Sequence, residues 1–91
     1  MGNAAGLKAQ QVLANAEHAL AIELLAGAQA LEFLAPLEPG PGVRATHDAV
    51  RQLSERVEED RSLTDDIARV AGAIRDGAIG AAAEAEIGPL A

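Results

Sequence analysis

The chain has 91 residues, which suffice for one small domain or for a piece of a larger one. Its formal net charge of −7, from 14 acidic against 7 basic residues, argues against nucleic acids and anionic membranes as partners. The sequence contains no cysteine, which excludes a disulfide framework and thiolate metal or redox chemistry. Hydrophobic residues make up 49% of the chain, but about half of them are alanine, so we expect a core too thin for a self-sufficient domain.

The sequence predicts neither a signal peptide nor a membrane span. Its N-terminus lacks a basic stretch followed by a short apolar one. Polar side chains at Glu17, His18, Glu23 and Glu32 interrupt the longest apolar run before it reaches the roughly 18 residues of a span. A cytoplasmic location is therefore the expectation.

A long apolar helix at about residues 4–34 is the element around which the chain is organised. Asn3 is its predicted cap, and Pro36 ends it because proline lacks an amide hydrogen. A helix of about 30 residues is about 45 Å long, whereas a compact globule of this size is only about 30 Å across. The helix therefore either kinks, with Gly27 as the candidate position, or has flanks that something else covers. Its main apolar seam consists of Leu13, Leu20, Leu24, Gly27, Leu31 and Leu34, and a second line consists of Val12, Ile22, Leu25 and Phe33.

Two shorter helices are predicted after a stiff loop of prolines and glycines at residues 36–42. The second helix covers about residues 43–57 and the third about residues 64–76, with a charged turn between them. Residues 78–91 are expected to form a weakly ordered tail with one turn of helix around 81–85. No strand pattern or internal repeat is present, so the predicted fold class is all-α, as part of a larger helical bundle.

Apolar stripes define the packed faces of the two shorter helices. In the second helix, Arg51 and Glu55 are four residues apart on the wetter side, where they are expected to pair. In the third helix, Thr64 is the predicted cap, and Arg75 and Gly77 are stop signals. The stripes consist of Val43, Val50, Leu53 and Val57 in the second helix and of Ile67, Val70, Ala71 and Ile74 in the third.

The sequence predicts no catalytic, cofactor-binding or metal site. His18 and His47 fall on separate predicted helices without a second ligand four residues away, so each is expected to be a packed or solvent-facing histidine. Ser54 is expected on a charged helix face and Ser62 in a turn. Neither serine has a histidine nearby in sequence that would activate it as a nucleophile.

Most acidic residues lie where solvent or a helix end accepts them. Residues 58–60 are expected to form a solvated turn, and Asp65 and Asp66 complement the positive end of the third helix. Glu23 differs because it lies within the most apolar stretch, where an unpaired carboxylate is costly. We expect it to pair with an arginine from another helix or chain, and the alternative is a functional carboxylate.

One local pattern suggests a different class of protein. The segment Asp60-Arg61-Ser62-Leu63 resembles the Asp-Ser-Leu signature of carrier proteins, whose serine bears a phosphopantetheine arm. Arg61 separates the aspartate from the serine, the usual preceding glycine is missing, and the segment comes late in the chain. An acyl-carrier-like protein is therefore the last of the alternatives.

Several short segments occur in an order and at spacings that resemble one known family. They are Met1-Gly2, Asn15, Leu20-Ala21-Ile22-Glu23-Leu24-Leu25, Gln29-Ala30-Leu31, Pro41-Gly42, His47, Val50-Arg51, Glu59-Asp60-Arg61, Leu63, Asp66-Ile67 and Gly77. Together they resemble the C-terminal end of the aromatic amino acid ammonia-lyases, above all histidine ammonia-lyase, over essentially the whole chain. At Leu34 the family often has arginine, so a family ion pair is expected to be absent there.

The resemblance implies an enzyme that eliminates ammonia from histidine, tyrosine or phenylalanine with a methylidene-imidazolone electrophile. In the family that group forms from an internal Ala-Ser-Gly, which this sequence lacks. The family's active-site tyrosines have no counterpart, because the chain contains no tyrosine. Its catalytic glutamate is expected before Met1, so no catalytic residue transfers to a position in this chain.

The resemblance further implies a helical homotetramer with long helices bundled at its centre. We therefore expect a scaffold and oligomerisation segment that packs against the remainder of the lyase and its other subunits. Two alternatives stay open. They are a free-standing helical module that self-associates through its first helix, and the acyl-carrier-like protein.

Overall fold

The computed structural model describes residues 2–57 and 61–90. Within these ranges every regular element is an α-helix, which confirms the predicted all-α class. None of the described helices combines the length and the hydropathy that a membrane-spanning helix requires. The described ranges contain four helices rather than three: α1, Gly2–Phe33; α2, Pro41–Leu53; α3, Thr64–Arg75; and α4, Ala78–Ile87.

α1 is one continuous helix of 32 residues that does not break at Gly27. A β-carbon built on Gly27 would meet no atom of the chain within 4 Å outside the local backbone, so this glycine serves no close contact within the chain. Asn3 lies inside the helix and does not cap it. The helix ends at Phe33, shortly before Pro36, as predicted. A bend of the helix axis at Gly27, one of the two alternatives expected for so long a helix, stays a prediction.

α2 begins and ends earlier than predicted. Pro41 occupies its first turn, where the missing amide hydrogen has no consequence, and Gly40 is the N-cap in an extended conformation. At the other end the backbone of Ser54 is extended, so the helix stops at Leu53 and does not reach Val57.

Ser62, and not the predicted cap Thr64, accepts a hydrogen bond at the start of α3. Thr64 is already the first helical residue, and its backbone amide donates to the Ser62 hydroxyl at 3.4 Å. The predicted C-terminal end is confirmed. α3 stops at Arg75, and Gly77 adopts a left-handed conformation with φ of 81°, which glycine accepts without strain.

The segment after Gly77 forms a ten-residue helix, α4, where the sequence predicted one turn of helix within a weakly ordered tail. α4 packs along α2, and this tertiary contact stabilises a segment whose alanines alone would form only a marginal helix. Gly42 of α2 permits the close approach, because a β-carbon there would come within 3.1 Å of the Ile87 side chain.

The helices pack mainly in two pairs, α1 against α3 and α2 against α4. Val50 of α2 and Val70 of α3 are the largest fully buried side chains, and Ile67 and Ile74 pack against the core from its margin. The predicted stripe of α3 is therefore confirmed. The described core is thin and rich in alanine, and it consists of Ala21, Leu25, Ala28, Val50, Val70, Ala71, Ala73 and Ile79.

The four helices leave much of their surface uncovered. Its accessible area is 6500 Å², whereas a compact protein of 9.3 kDa exposes about 5,000 Å². The fold is also elongated, with principal-axis extents of 55, 36 and 17 Å. The chain therefore exposes more surface than a compact domain of its mass does.

Candidate functional site

Glu32, near the end of α1, joins α1 to α2. The Arg51 guanidinium donates to both carboxylate oxygens of Glu32, from Nε to Oε2 at 2.6 Å and from Nη2 to Oε1 at 3.0 Å. Nε2 of His47, one turn earlier in α2, lies 2.7 Å from Oε2. The hydrogen bond from Arg51 is the main reason that the pKa of Glu32 falls from 4.5 to about 2. The carboxylate is therefore ionised at neutral pH, and it is held by hydrogen-bond contacts with the Arg51 guanidinium and the His47 ring.

The same cluster holds the loop that follows α2. Arg51 also donates to the carbonyl oxygen of Ser54 at 3.2 Å, and the Gln29 side-chain amide donates to the carbonyl oxygen of Val57 at 3.0 Å. The predicted pairing of Arg51 with Glu55 is wrong, because Arg51 is half-buried and faces α1. Helical spacing identifies partners within one helix, and it carries no information about a carboxylate 19 residues away.

Asp66 is the centre of a second cluster, which ties α3 to the end of α2. Its carboxylate is buried and accepts from Arg61 and Arg69, each at 2.9 Å, and from the Ser54 hydroxyl. The Arg61 hydrogen bond is the largest cause that lowers the pKa of Asp66 from 3.8 to about 2. Arg69 also donates to the carbonyl oxygen of Leu53 at 2.8 Å, one of the groups that the end of α2 leaves unpaired. Ser54 is buried, so its predicted place on a charged helix face is wrong.

A third ion pair joins α1 to α3. The Glu17 carboxylate is buried, Arg75 donates from Nε to its Oε2 at 2.9 Å, and Nη2 of Arg75 lies 2.8 Å from the same oxygen. The sequence showed Glu17 only as a polar residue that interrupts an apolar run. Its ion pair could not be recognised there, because its partner lies 58 residues further along the chain. Each of the three carboxylates is occupied by arginine and joins two helices, which favours structural over catalytic roles.

The histidines and serines considered as candidate catalytic or metal-binding residues do not form a common site. His18 is exposed on α1, His47 belongs to the cluster between α1 and α2, and Ser62 is exposed ahead of α3. In the part of the chain that the structure describes, no group of three or more histidine, aspartate or glutamate side chains is arranged to hold a metal ion. Asp60 and the rest of the charged turn at 58–60 lie outside the described residues, so the carrier-protein interpretation stays a prediction.

An apolar groove lies between α1, α2 and α4 and has a volume of about 530 Å³. Its wall on α1 is the seam predicted from the sequence. Leu13 and Leu20 continue this seam beyond the groove and are 61% and 49% exposed. The expectation that α1 carries more apolar surface than the chain covers is confirmed. The seam residues that line the groove are Leu24, Gly27, Leu31 and Leu34.

Glu23 lies at the rim of this groove, on the exposed side of α1. The chain therefore does not embed Glu23, contrary to the expectation from its apolar neighbours. At about 100° of rotation per residue, its position is well removed from the packed face of α1. Its pairing with an arginine of another chain stays a prediction. The buried residues that define the packed face are Glu17, Ala21, Leu25 and Ala28.

A second apolar hollow, of about 310 Å³, lies on the other flank of α1, next to α3. Ile22 and Ile67 line it, and Arg51 and Ser54 form its polar side. Beyond it Phe33 is 71% exposed, with the Arg56 guanidinium 5.9 Å from the centre of its ring. α1 thus presents apolar surface on both flanks and along its first half, where every residue from 2 to 16 is exposed.

Comparison with known proteins agrees with the family resemblance of the sequence. The profile of a family described as aromatic amino acid lyase matches residues 1–52, more than half of the chain. The histidine ammonia-lyase of Symbiobacterium thermophilum is 46% identical over 90 residues, which are 99% of this chain and 18% of that enzyme. The enzyme of the same name from Sorangium cellulosum is 43% identical over 90 residues, again 99% of this chain and 18% of the enzyme.

A third relative, the histidine ammonia-lyase of Koribacter versatilis, is 46% identical over 83 residues, which are 91% of this chain and 16% of that enzyme. The chain therefore spans less than a fifth of the length of these relatives. No solved structure matches it. The match of more than half of the chain to one family profile, together with these identities, shows that the chain belongs to the aromatic amino acid lyase family.

Proposed function

We propose that this chain is a scaffold and oligomerisation segment of a histidine ammonia-lyase and that it supplies no catalytic group itself. The observation that carries the proposal is the uncovered apolar surface of α1, in a chain that matches less than a fifth of the length of its relatives. An apolar helix of this length is stable when other helices cover its flanks. The remaining four-fifths of a lyase would supply those helices.

The polar residues support a structural role. Glu17, Glu32 and Asp66, which are the buried and half-buried acids with ion pairs, are each held by arginine. Arginine and carboxylate groups in this arrangement fix helices at defined angles, and they leave no free general acid or base in the clusters. The sequence also lacks the Ala-Ser-Gly segment from which the resemblance implies that the family's electrophile forms, and it lacks tyrosine, the family's active-site residue type.

The proposed partners are the remainder of the lyase chain and its other subunits, in a homotetramer in the cytoplasm. The proposed enzyme acts on histidine or on a related aromatic amino acid. Histidine is the proposed substrate because the similar enzymes carry its name. With a net charge of −7, we expect neither nucleic acid nor an anionic membrane among the partners.

A chimeric enzyme tests this proposal. In the chimera, this chain replaces the matched 90-residue stretch of the Symbiobacterium thermophilum enzyme. We expect the chimera to release ammonia from histidine and to sediment with the same size as its parent. The control is the parent enzyme with that stretch deleted, which should release none. A chimera that folds but releases no ammonia would refute the proposed role, and ammonia release by the isolated chain would refute its non-catalytic part.

A free-standing module that self-associates through α1 is the second candidate, because the exposed seam would suit a second copy as well as a lyase partner. Analytical ultracentrifugation of the isolated chain separates the two. A tight, folded oligomer of the chain alone favours the module. A chain that stays monomeric alone and assembles only within the chimera favours the lyase segment.

A further inference from the structure

We infer that the groove between α1, α2 and α4 receives an apolar helix from the remainder of the lyase, and that this helix carries a lysine or arginine opposite Glu23. The inference rests on the proposed function and adds the chemistry of the partner at this one surface.

The polar groups of the groove single out Glu23. Besides Glu23, only Thr46 and His47 are polar among the residues that line it. The Thr46 hydroxyl donates to the carbonyl oxygen of Gly42 at 3.0 Å, and both ring nitrogens of His47 lie within 3.1 Å of carboxylate oxygens. These two residues are satisfied within the chain, whereas Glu23 has no ion pair among the described residues.

A partner helix that covers the groove and its rim on α1 removes Glu23 from water. An ionised carboxylate that is buried without a partner is strongly unfavourable, whereas one that meets a cation and accepts its hydrogen bonds is tolerated. Glu23 is the one acidic residue among the described residues that line the groove, so a complementary partner carries a positive group opposite it. The charge of Glu23 thus specifies one feature of an otherwise apolar contact.

The shape of the seam indicates a helix as the occupant. Leu13, Leu20, Gly27 and Leu34 follow one another at intervals of seven residues, which is the spacing of a seam between two helices that run side by side. The seam extends past the groove along exposed α1, so a small molecule that filled the groove would leave Leu13 and Leu20 uncovered. An amphipathic helix would cover all of it.

Gly27 is the position of α1 that the proposed partner helix approaches most closely. It lines the groove, and a β-carbon at this position would meet nothing of this chain within 4 Å outside the local backbone. Glycine lowers helix stability relative to alanine, so the isolated fold gains nothing from it. A glycine in the middle of a leucine seam instead leaves room for the side chains or backbone of a partner helix. The packing of this chain does not require a glycine at position 27, whereas the close approach of a partner helix does.

The test compares the same substitutions in the chimera and in the isolated chain. Glu23→Lys places a cation opposite the partner's cation, and Gly27→Leu fills the space for the partner. We expect each to lower the melting temperature of the chimera by several degrees, with Glu23→Gln intermediate between wild type and Glu23→Lys. In the isolated chain, where Glu23 is exposed and Gly27 is open, we expect no loss of helicity.

Matched controls lie on α4, outside the groove. Glu84→Lys makes the same charge change at an exposed acid, and Gly80→Leu makes the same volume change at an exposed glycine with no atom within 4 Å. Both should leave the chimera unchanged. If the chimera assembles and releases ammonia but Glu23→Lys behaves like Glu84→Lys, the inference is overturned while the proposed function stands.

Two other outcomes also overturn the inference. A chimera that neither assembles nor releases ammonia removes the proposed function and the inference together. A dimer of the isolated chain that Gly27→Leu dissociates would make a second copy of this chain the occupant of the groove.

Discussion

Arg51 of α2 and Glu32 of α1 form a bidentate ion pair. Nε of Arg51 lies 2.6 Å from Oε2 of Glu32, and Nη2 lies 3.0 Å from Oε1. The pair is largely shielded from solvent, since the side chains are only 16% and 17% exposed. Parallel hydrogen bonds of this kind fix an angle as well as a distance. The Glu32–Arg51 pair therefore fixes the angle and the distance between α2 and the end of α1.

Arg51→Ala should lower the free energy of unfolding by about 2 kcal/mol, because it removes two charge-assisted hydrogen bonds and leaves Glu32 with fewer donors. Arg44→Ala is the matched control, since Arg44 pairs with Glu38 in an exposed setting and should contribute less than about 1 kcal/mol. Urea unfolding followed by circular dichroism measures both. Equal losses for the two variants would contradict a special role for the Glu32–Arg51 pair.

Asp66→Asn should destabilise the chain more than Asp65→Asn, although both acids open the same helix. Asp66 is buried and accepts from Arg61, Arg69 and Ser54, so its substitution removes charge-assisted hydrogen bonds, at a cost of about 2 kcal/mol. Asp65 is exposed, so its substitution should change only the interaction with the helix dipole, by about 0.5 kcal/mol. The same unfolding assay distinguishes them, and indistinguishable midpoints would argue against the cluster.

Acid should unfold the chain in a defined window. The folded pKa values of Glu32 and Asp66 are both about 2, below their ordinary values of 4.5 and 3.8. A group with a lowered folded pKa stabilises the fold fully above its unfolded pKa and loses that contribution as the pH falls towards the folded pKa. We therefore expect stability from these two groups to disappear between about pH 4.5 and pH 2. A Glu32→Gln, Asp66→Asn double variant should show a flatter acid titration, and a curve identical to wild type would contradict the assignment.

Ala21→Leu should destabilise the fold by about 1–3 kcal/mol, because Ala21 is fully buried in the core and a larger side chain overpacks it. Ala19→Leu, on the exposed side of the same helix, should change stability by much less, because leucine is only slightly poorer than alanine as a helix former. Thermal unfolding of both variants checks this. A tolerant Ala21 would mean that α1 does not pack against its neighbours as closely as its burial indicates.

The sequence predicted the elements that depend on local signals. The long helix ends near Pro36, and α3 ends at Arg75 with Gly77 beyond it, because these residues control the backbone directly. α4 was underestimated, since it is stabilised by packing on α2, which no local pattern reveals. The apolar seam of α1 was identified correctly, and it forms the wall of the groove.

The ion pairs could not be predicted, because their partners are distant in sequence. Glu17 and Arg75 are 58 residues apart, and Glu32 and Arg51 are 19 apart. Glu23, the acid that the sequence singled out, is exposed, whereas Glu17, an acid of the same apolar run, is buried. Helical periodicity shows which residues share a face, but it does not show which face the rest of the chain covers.

The central claim is that the neighbours of α1 come from outside this chain, and hydrogen exchange tests it most directly. In the isolated chain we expect the amides of residues 2–16, all of which are exposed residues, to exchange rapidly. In the chimera the same amides should be protected by at least about tenfold, because lyase helices cover them. Equal protection of these amides in the isolated chain and in the chimera would contradict the claim.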